Sequence, residues 1–354
     1  MPLYPLYTPR AHSFYMETSV SGGAPFTPEI IGQTYGLSTL RTDGTGITIA
    51  CILAYKNESV ESDFRLFGER YDLPESELEV YYPDGTNTYT FRTWSIEASA
   101  DTQWAYAAAP AARIMCVFAF EASIESMFSA VQFAVGKGAD IISMSWGSPE
   151  FIGQEEFTRI MKESGAVFIA SAGDVGGEVY FPSSSDAAVS VGGTVFHRNR
   201  DNDTFAISAW ENGGGGPSEY TGIPYWQSIF EGIPEKSGAF RATPDVALDA
   251  CTDPGYSVYN RDFGGGFTTI CGTSVSAPIF SGMCARLLQR GNKSLYGRNI
   301  ASYLYTLAGA TQYDDPQYYF DDVIIGSNGR FSAGVGYDLC TGLGVPVPRQ
   351  IIEG

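Results

Sequence analysis

Asp140-Ile141-Ile142-Ser143-Met144-Ser145, a helical segment at about 153–164, and then Ala166-Val167-Phe168-Ile169-Ala170-Ser171 together set the architecture of the chain. Both apolar runs are too continuous for a strand with one wet face, so they read as strands buried on both sides. The same rhythm extends outward. Upstream lie the strand Gly46-Ile47-Thr48-Ile49-Ala50-Cys51-Ile52-Leu53, a helix over about 95–109 that ends at Pro110, the strand Arg113 to Ala119, and a helix over about 123–137. Downstream comes Ala188-Val189-Ser190-Val191-Gly192. Strands alternating with helices of this length predict an α/β fold with a mostly parallel central sheet covered by helices on both faces. Side chains that do chemistry in such folds gather at the carboxyl ends of the strands.

The flanks are less regular. Residues 1–40 are polar and rich in Gly and Pro, which predicts an arm wrapped over a later core. Within residues 193–272 the glycine runs Gly213 to Gly216 and Gly264 to Gly266 read as mobile surface loops around a short extended core. No internal repeat or linker divides the rest, so residues 1–26 are expected to form an N-terminal arm and 27–354 a single domain.

Composition narrows the classes of function. Twenty-one Lys plus Arg against 40 Asp plus Glu give a formal net charge of -19, which makes nucleic acid a poor partner. The repulsion eases when carboxylates protonate, so an acidic medium suits the chain. No run of eighteen apolar residues is present, so no helix is expected to span a membrane. The six cysteines lack Cys-x-x-Cys spacing, which argues against a zinc site. Cys251 and Cys271 flank a Gly-rich hairpin-like segment, a placement that permits a disulfide in an oxidising compartment.

Three segments carry candidate chemistry. In Gly272-Thr273-Ser274-Val275-Ser276-Ala277-Pro278 a glycine turn precedes a serine at the start of an apolar helix, a position that either caps the helix or presents a nucleophile. Glu97 and Asp101 stand four residues apart on a predicted helix whose neighbours are Ala, Ile and Trp. Their carboxylates share one face, and two like charges held that close raise one pKa and share a proton. Ser171-Ala172-Gly173-Asp174 ends a buried strand. Ionised, Asp174 would repel a developing oxyanion; protonated, it is an O–H donor to one. Only two histidines, His12 and His197, are present, and neither lies in a catalytic-looking segment. A serine nucleophile in this chain would therefore rely on a carboxylate base, which works in acid where imidazole is protonated.

These residues resemble the sedolisins, serine-carboxyl peptidases with a subtilisin-like three-layer fold, over about Thr27 to Pro346. The resemblance implies Ser274 as nucleophile, Glu97 as general base, Asp101 as its proton-sharing partner and a protonated Asp174 as oxyanion donor. Ser143-Met144-Ser145-Trp146-Gly147 is similar to the family's substrate strand, so Ser145, Trp146 and Gly147 are expected to bind the backbone of a peptide substrate. Phe181-Pro182, Val191-Gly192-Gly193-Thr194, Gly214 to Ser218 and Pro244-Asp245-Val246-Ala247 also match. Near the C-terminus, about 320–346, the resemblance implies one structural Ca2+ held by side-chain oxygens of Asp322 and Asp338 and by carbonyls of Val323, Gly334 and Gly336. Two carboxylates and flexible glycine carbonyls suit a hard cation.

The pattern also has departures. Family members resemble precursors with a long prosegment, whereas about 26 residues precede Thr27. No extra acid extends the carboxylate network around Ala54-Tyr55-Lys56-Asn57. The expected protein is a monomeric acid-acting peptidase, secreted or in an acidic compartment, or intracellular if the missing leader is taken at face value. Sequons at Asn57, Asn202 and Asn292 permit glycosylation. Competing readings are a catalytically silent peptide-binding relative, a neutral subtilisin-like protease, and a glycosidase. The last, which would use Glu97 and Asp101, is disfavoured because two acids on one helix turn are poorly arranged to flank a sugar bond.

Overall fold

The computed structural model describes residues 12–13, 16–17, 25–199, 204–262, 265–291, 300–310 and 318–353. Its centre is an eight-stranded sheet. Seven strands run in the order Thr204–Ala209, Ala188–Asn199, Val167–Ser171, Ile141–Met144, Thr48–Ala54, Arg113–Ala119 and Leu78–Tyr81. Val246–Asp249 is the eighth and pairs in parallel with Ala188–Asn199. Only Thr204–Ala209 pairs antiparallel within this sheet. The predicted strands lie where the apolar runs placed them, within a few residues at each end, except that the strand expected over Ala188 to Gly192 continues to Asn199.

Every residue of Thr48–Ala54 is buried, so the sheet must be covered on both faces, as the continuous apolar pattern demands. Ile124–Gly136 supplies part of that cover, and Gln154–Ser164 packs against that helix. Each starts and stops for a local reason. The Ser123 hydroxyl accepts from the Ser126 N–H at 3.3 Å and caps the first helix. Gly165 ends the second in the left-handed region at φ 77°.

Two other helices matter more for function. Arg92–Ala108, the glutamate helix, is buried on nearly every side, and Thr273–Gln289, the serine helix, is buried from Thr273 to Leu288. They pack directly on each other. Gly282 permits the contact, because a Cβ there would sit 2.4 Å from the Ala108 Cβ.

In the segment 193–272 a short extended core is present, while the first glycine run differs from the expectation of a mobile surface loop. The segment carries the short strands Gly216–Gly222, Phe240–Thr243, Tyr256–Asn260 and Gly266–Cys271 besides those of the sheet. Gly213 to Gly216 are buried. The glycines serve close packing: a Cβ at Gly214 would lie 2.2 Å from the Ala172 carbonyl oxygen, and one at Gly215 would lie 2.4 Å from that of Leu339. Composition alone does not separate a run that bends freely from one that must be approached closely. Gly265 and Gly266 do border open space, while Gly264 lies outside the described residues.

The arm expectation concerns residues mostly outside the described set. Two pieces of it form strands: His12–Ser13 runs antiparallel to Trp146–Gly147, and Met16–Glu17 runs antiparallel to Ile270–Cys271. Cys251 and Cys271 form a disulfide. The sequon at Asn57 is sealed, since its side chain is buried, donates to the Ser95 hydroxyl at 3.1 Å and accepts from the Ser59 N–H at 2.9 Å. Asn202 and Asn292 lie outside the described residues.

Candidate active site

Four side chains expected to work together come from three elements that meet at the carboxyl ends of the central strands. Glu97 and Asp101 occupy successive turns of the glutamate helix, and both are fully buried. No donor reaches any of their four carboxylate oxygens at full hydrogen-bond geometry. Burial, then the charge of Asp101, pushes the Glu97 pKa well up, while the nearby Ser274 hydroxyl favours its ionised form and Asp174 opposes it. Burial likewise raises Asp101, against the influence of Ser145 and Glu97. The two acids titrate as one unit that holds a proton well above the usual carboxylate range.

Ser274 begins the serine helix after Gly272, whose φ of 140° turns the chain out of the strand Gly266–Cys271. Among the described residues its hydroxyl makes one hydrogen bond of full geometry, a long one of 3.4 Å to the Ser145 carbonyl, and so is lightly held. Pro278 adds a further feature. Having no N–H, it cannot donate to the Ser274 carbonyl one turn earlier. The Ser145 hydroxyl approaches that carbonyl instead, at 3.4 Å, so the substrate-strand candidate and the serine helix are tied in both directions.

Asp174 follows the strand Val167–Ser171. The residue is partly open to solvent, but its Oδ2 is shut off and has no partner among the described residues. Its Oδ1 accepts from the Thr273 N–H and from the Thr273 hydroxyl, both at 2.8 Å. Burial outweighs these two bonds and pushes the pKa up to about 7. Thr273 was not singled out from the sequence, although it sits between the glycine turn and the serine. The available signal was its place in the first helical turn, where N–H groups lack intrahelical partners.

The side chains of Ser145 and Trp146 are fully buried, Trp146 edge-on to Phe128 with ring centroids 6.1 Å apart. What this segment can offer a ligand is its backbone. That backbone already accepts an extended chain, since His12–Ser13 pairs with Trp146–Gly147.

Asp322 and Asp338 also converge. The Asp322 Oδ2 accepts from the Gly336 N–H at 2.9 Å, and the Asp338 Oδ2 accepts from the Gly334 N–H at 3.0 Å, so both hold one glycine loop. Burial raises both pKa values, and among the described residues neither carboxylate has a basic partner. Two unneutralised carboxylates fit a hard cation in charge and donor type. Asp338, however, spends much of its acceptor capacity on Cys340 and Thr341. Among the described residues no three His, Cys, Asp or Glu side chains group together as a metal site.

The subtilase family profile matches residues 98–322, which include Asp101, Asp174 and Ser274. The chain belongs to the subtilase family, on its sedolisin branch. Kumamolisin from Bacillus sp. (strain MN-32) is 31% identical over 294 residues, 73% of this chain and 50% of that protein. Sedolisin from Pseudomonas sp. (strain 101) is 31% identical over 208 residues, 51% of this chain and 33% of that protein. The chain thus spans half or less of the length of these subtilase relatives. A solved Pseudomonas sedolisin (serine-carboxyl proteinase), complexed with two molecules of pseudo-iodotyrostatin, has the same fold with a TM-score of 0.81 at 24% identity, covering 94% of this chain and 98% of that one.

Proposed function

We propose that this chain is an acid-acting serine-carboxyl peptidase that cleaves peptide bonds through an acyl-enzyme on Ser274. The observation that carries this is the burial of Glu97, Asp101 and the Asp174 Oδ2 around one lightly held serine hydroxyl, with no histidine and no basic counter-ion among their described partners.

An extended peptide would add as a strand to the backbone of Ser145 to Gly147, a reading supported by the pairing of His12–Ser13 on that edge. Ser274 Oγ attacks the scissile carbonyl carbon while its proton passes to Glu97. Asp101 shares the proton of the pair and holds Glu97 ready to return one to the departing amine. The oxyanion forms beside a protonated Asp174 and the Ser274 N–H, which belongs to a helix first turn and adds the favourable end of the helix dipole. Water, activated by Glu97, then releases the acyl group.

Such a site has two limits. Glu97 must give up a proton to act as base, which sets the acid side of the rate profile. Asp174 must keep its proton to act as donor, and its pKa of about 7 sets the alkaline side. The test is a profile of kcat/KM against pH on a mixed peptide library, with products read by mass, for the parent chain and Ser274→Ala. A bell on the acid side of neutral, lost by about 10⁴-fold or more in the variant, is expected. Full hydrolysis by Ser274→Ala, or a maximum at pH 8, would overturn the reading.

The disulfide Cys251–Cys271 supports a secreted or other oxidising location. Asp322, Asp338 and the carbonyls of Val323, Gly334 and Gly336 would hold a Ca2+ that neutralises the two acids and fixes the C-terminal loops; it has no part in the chemistry.

A further inference from the structure

We propose that Thr273 is the positioning residue of the oxyanion donor: it relays a one-way chain of hydrogen bonds that confines the Asp174 proton to Oδ2. This deepens the peptidase reading and rests on Asp174 as that donor.

The direction of the relay follows from its ends. The Gly173 N–H can only donate, and it donates to the Thr273 hydroxyl oxygen at 3.2 Å. That hydroxyl has one hydrogen, which it gives to the Asp174 Oδ1 at 2.8 Å. The Thr273 N–H, also at 2.8 Å, occupies the other acceptor site of the same atom. Oδ1 with two donors is the carbonyl oxygen of the acid, so the proton belongs on Oδ2. Oδ2 is sealed from solvent and has no partner among the described residues. It is the free donor that a developing oxyanion requires, aligned before substrate arrives and with no need to reorient during the reaction.

The relay also makes a threonine one residue before the nucleophile a control on pH. Each donor bond to Oδ1 favours the ionised form, so removing the hydroxyl raises the Asp174 pKa while freeing its proton to sit on either oxygen. The groups that face Asp174 from elsewhere are Glu97, on the glutamate helix, and Tyr180, on the short strand Tyr180–Phe181. Both feel its negative charge, and Thr273→Val leaves both in place.

The experiment measures kcat and KM against pH for Thr273→Val, Thr273→Ser and Asp174→Asn in the full chain. Thr273→Val is expected to lose about tenfold in kcat with KM nearly unchanged, and its alkaline limb to move up by about one pH unit, the worth of one hydrogen bond. Thr273→Ser keeps the donor and is expected to recover the parent limb. A Thr273→Val variant that loses thermal stability or activity with its limb unmoved would show a merely structural threonine and overturn the inference. If Asp174→Asn fails to move the limb, Asp174 is not the titrating donor, and the parent reading falls whatever Thr273 does. Should Thr273→Val not fold, the infrared C=O band of protonated Asp174 in the parent chain, assigned by its loss in Asp174→Asn, decides the matter. A band lowered by two accepted hydrogen bonds supports the relay, and one at the free-acid position overturns it.

Discussion

Asp245 and Asp174 are two inward-turned aspartates of one chain, and they are held in opposite ways. Asp245 is fully buried, and its carboxylate is saturated: Arg241 Nη2 at 2.5 Å and the Ser190 N–H at 2.8 Å on one oxygen, the Tyr305 hydroxyl at 3.0 Å on the other. The positive charge it needs is beside it. Asp174 has two neutral donors on one oxygen, nothing on the other, and no cation in an ion pair among the described residues. A buried charge with every partner in place specifies structure, whereas a buried acid left short of partners costs stability that only a function repays. Both lie close to strand ends of the same sheet, and although Asp245 is the more deeply buried, the distinction in role is made by their partners.

The largest test of that contrast is the same atomic change at both sites. Asp245→Asn leaves the buried Arg241 guanidinium without its counter-charge and is expected to destabilise the fold by about 3–5 kcal/mol, read as a fall in the denaturation midpoint at unchanged slope. A loss under about 1 kcal/mol would mean that Arg241 finds other partners and that the pair is not structural.

The opposite sign is expected at Asp174. A carboxyl raised in the folded state contributes stability that is fully present below its unfolded pKa and is lost as pH rises through the folded one. For Asp174 the window runs from its ordinary 3.8 to about 7, and Asp249, raised by burial to about 6, adds to it. Glu97 and Asp101 act in the same direction. The parent chain is therefore expected to be most stable near pH 4 and to lose stability toward pH 8. Asp174→Asn removes one contribution, worth at most about 4 kcal/mol before discounting the partial solvent access of the residue. Its gain over the parent should be near zero at pH 4 and largest at pH 8, read from thermal unfolding across that range. A parent stability that climbs from pH 4 to pH 8 would remove the physical basis of the acid-acting site.

This contrast also explains what the sequence made legible. The strands and the glutamate helix were readable because burial on both faces and helical spacing leave local marks, as in Ile141–Met144 and at Glu97 and Asp101. Ser274 and Asp174 were readable as glycine-flanked residues at element ends. The relay through Thr273 was not, because a hydrogen bond over 99 residues of chain has no local pattern. Nor was the role of Asp245, whose partner Arg241 lies four residues away but not on a helix, or that of Gly213 to Gly216, where burial depends on Ala172 and Leu339 from distant segments. Segments whose environment is supplied by remote chain give no periodic signal of it.

Asp322 and Asp338 form a third case that sharpens the comparison with the smallest expected effect. By their partners they stand with Asp174: raised by burial, bonded to backbone N–H groups, and without a basic side chain among the described ion pairs. Yet Asp338 lies at the bridge Asp338–Gly342 and Asp322 just after the strand Phe320–Asp321, both holding one glycine loop far in sequence from the serine, where the proposed chemistry does not use them. A bound Ca2+ would move them into the class of Asp245 by supplying the missing charge. Adding millimolar Ca2+ to chelator-treated protein is then expected to raise the thermal midpoint by the equivalent of about 1–3 kcal/mol, as for a ligand held at some tens to hundreds of times its Kd. Asp322→Asn should abolish the gain, and Mg2+, which demands tighter octahedral geometry, should not reproduce it. A midpoint indifferent to Ca2+ would leave these two acids as loop-holding acceptors that stay protonated in an acidic medium, neutralised by the solvent instead of by a metal.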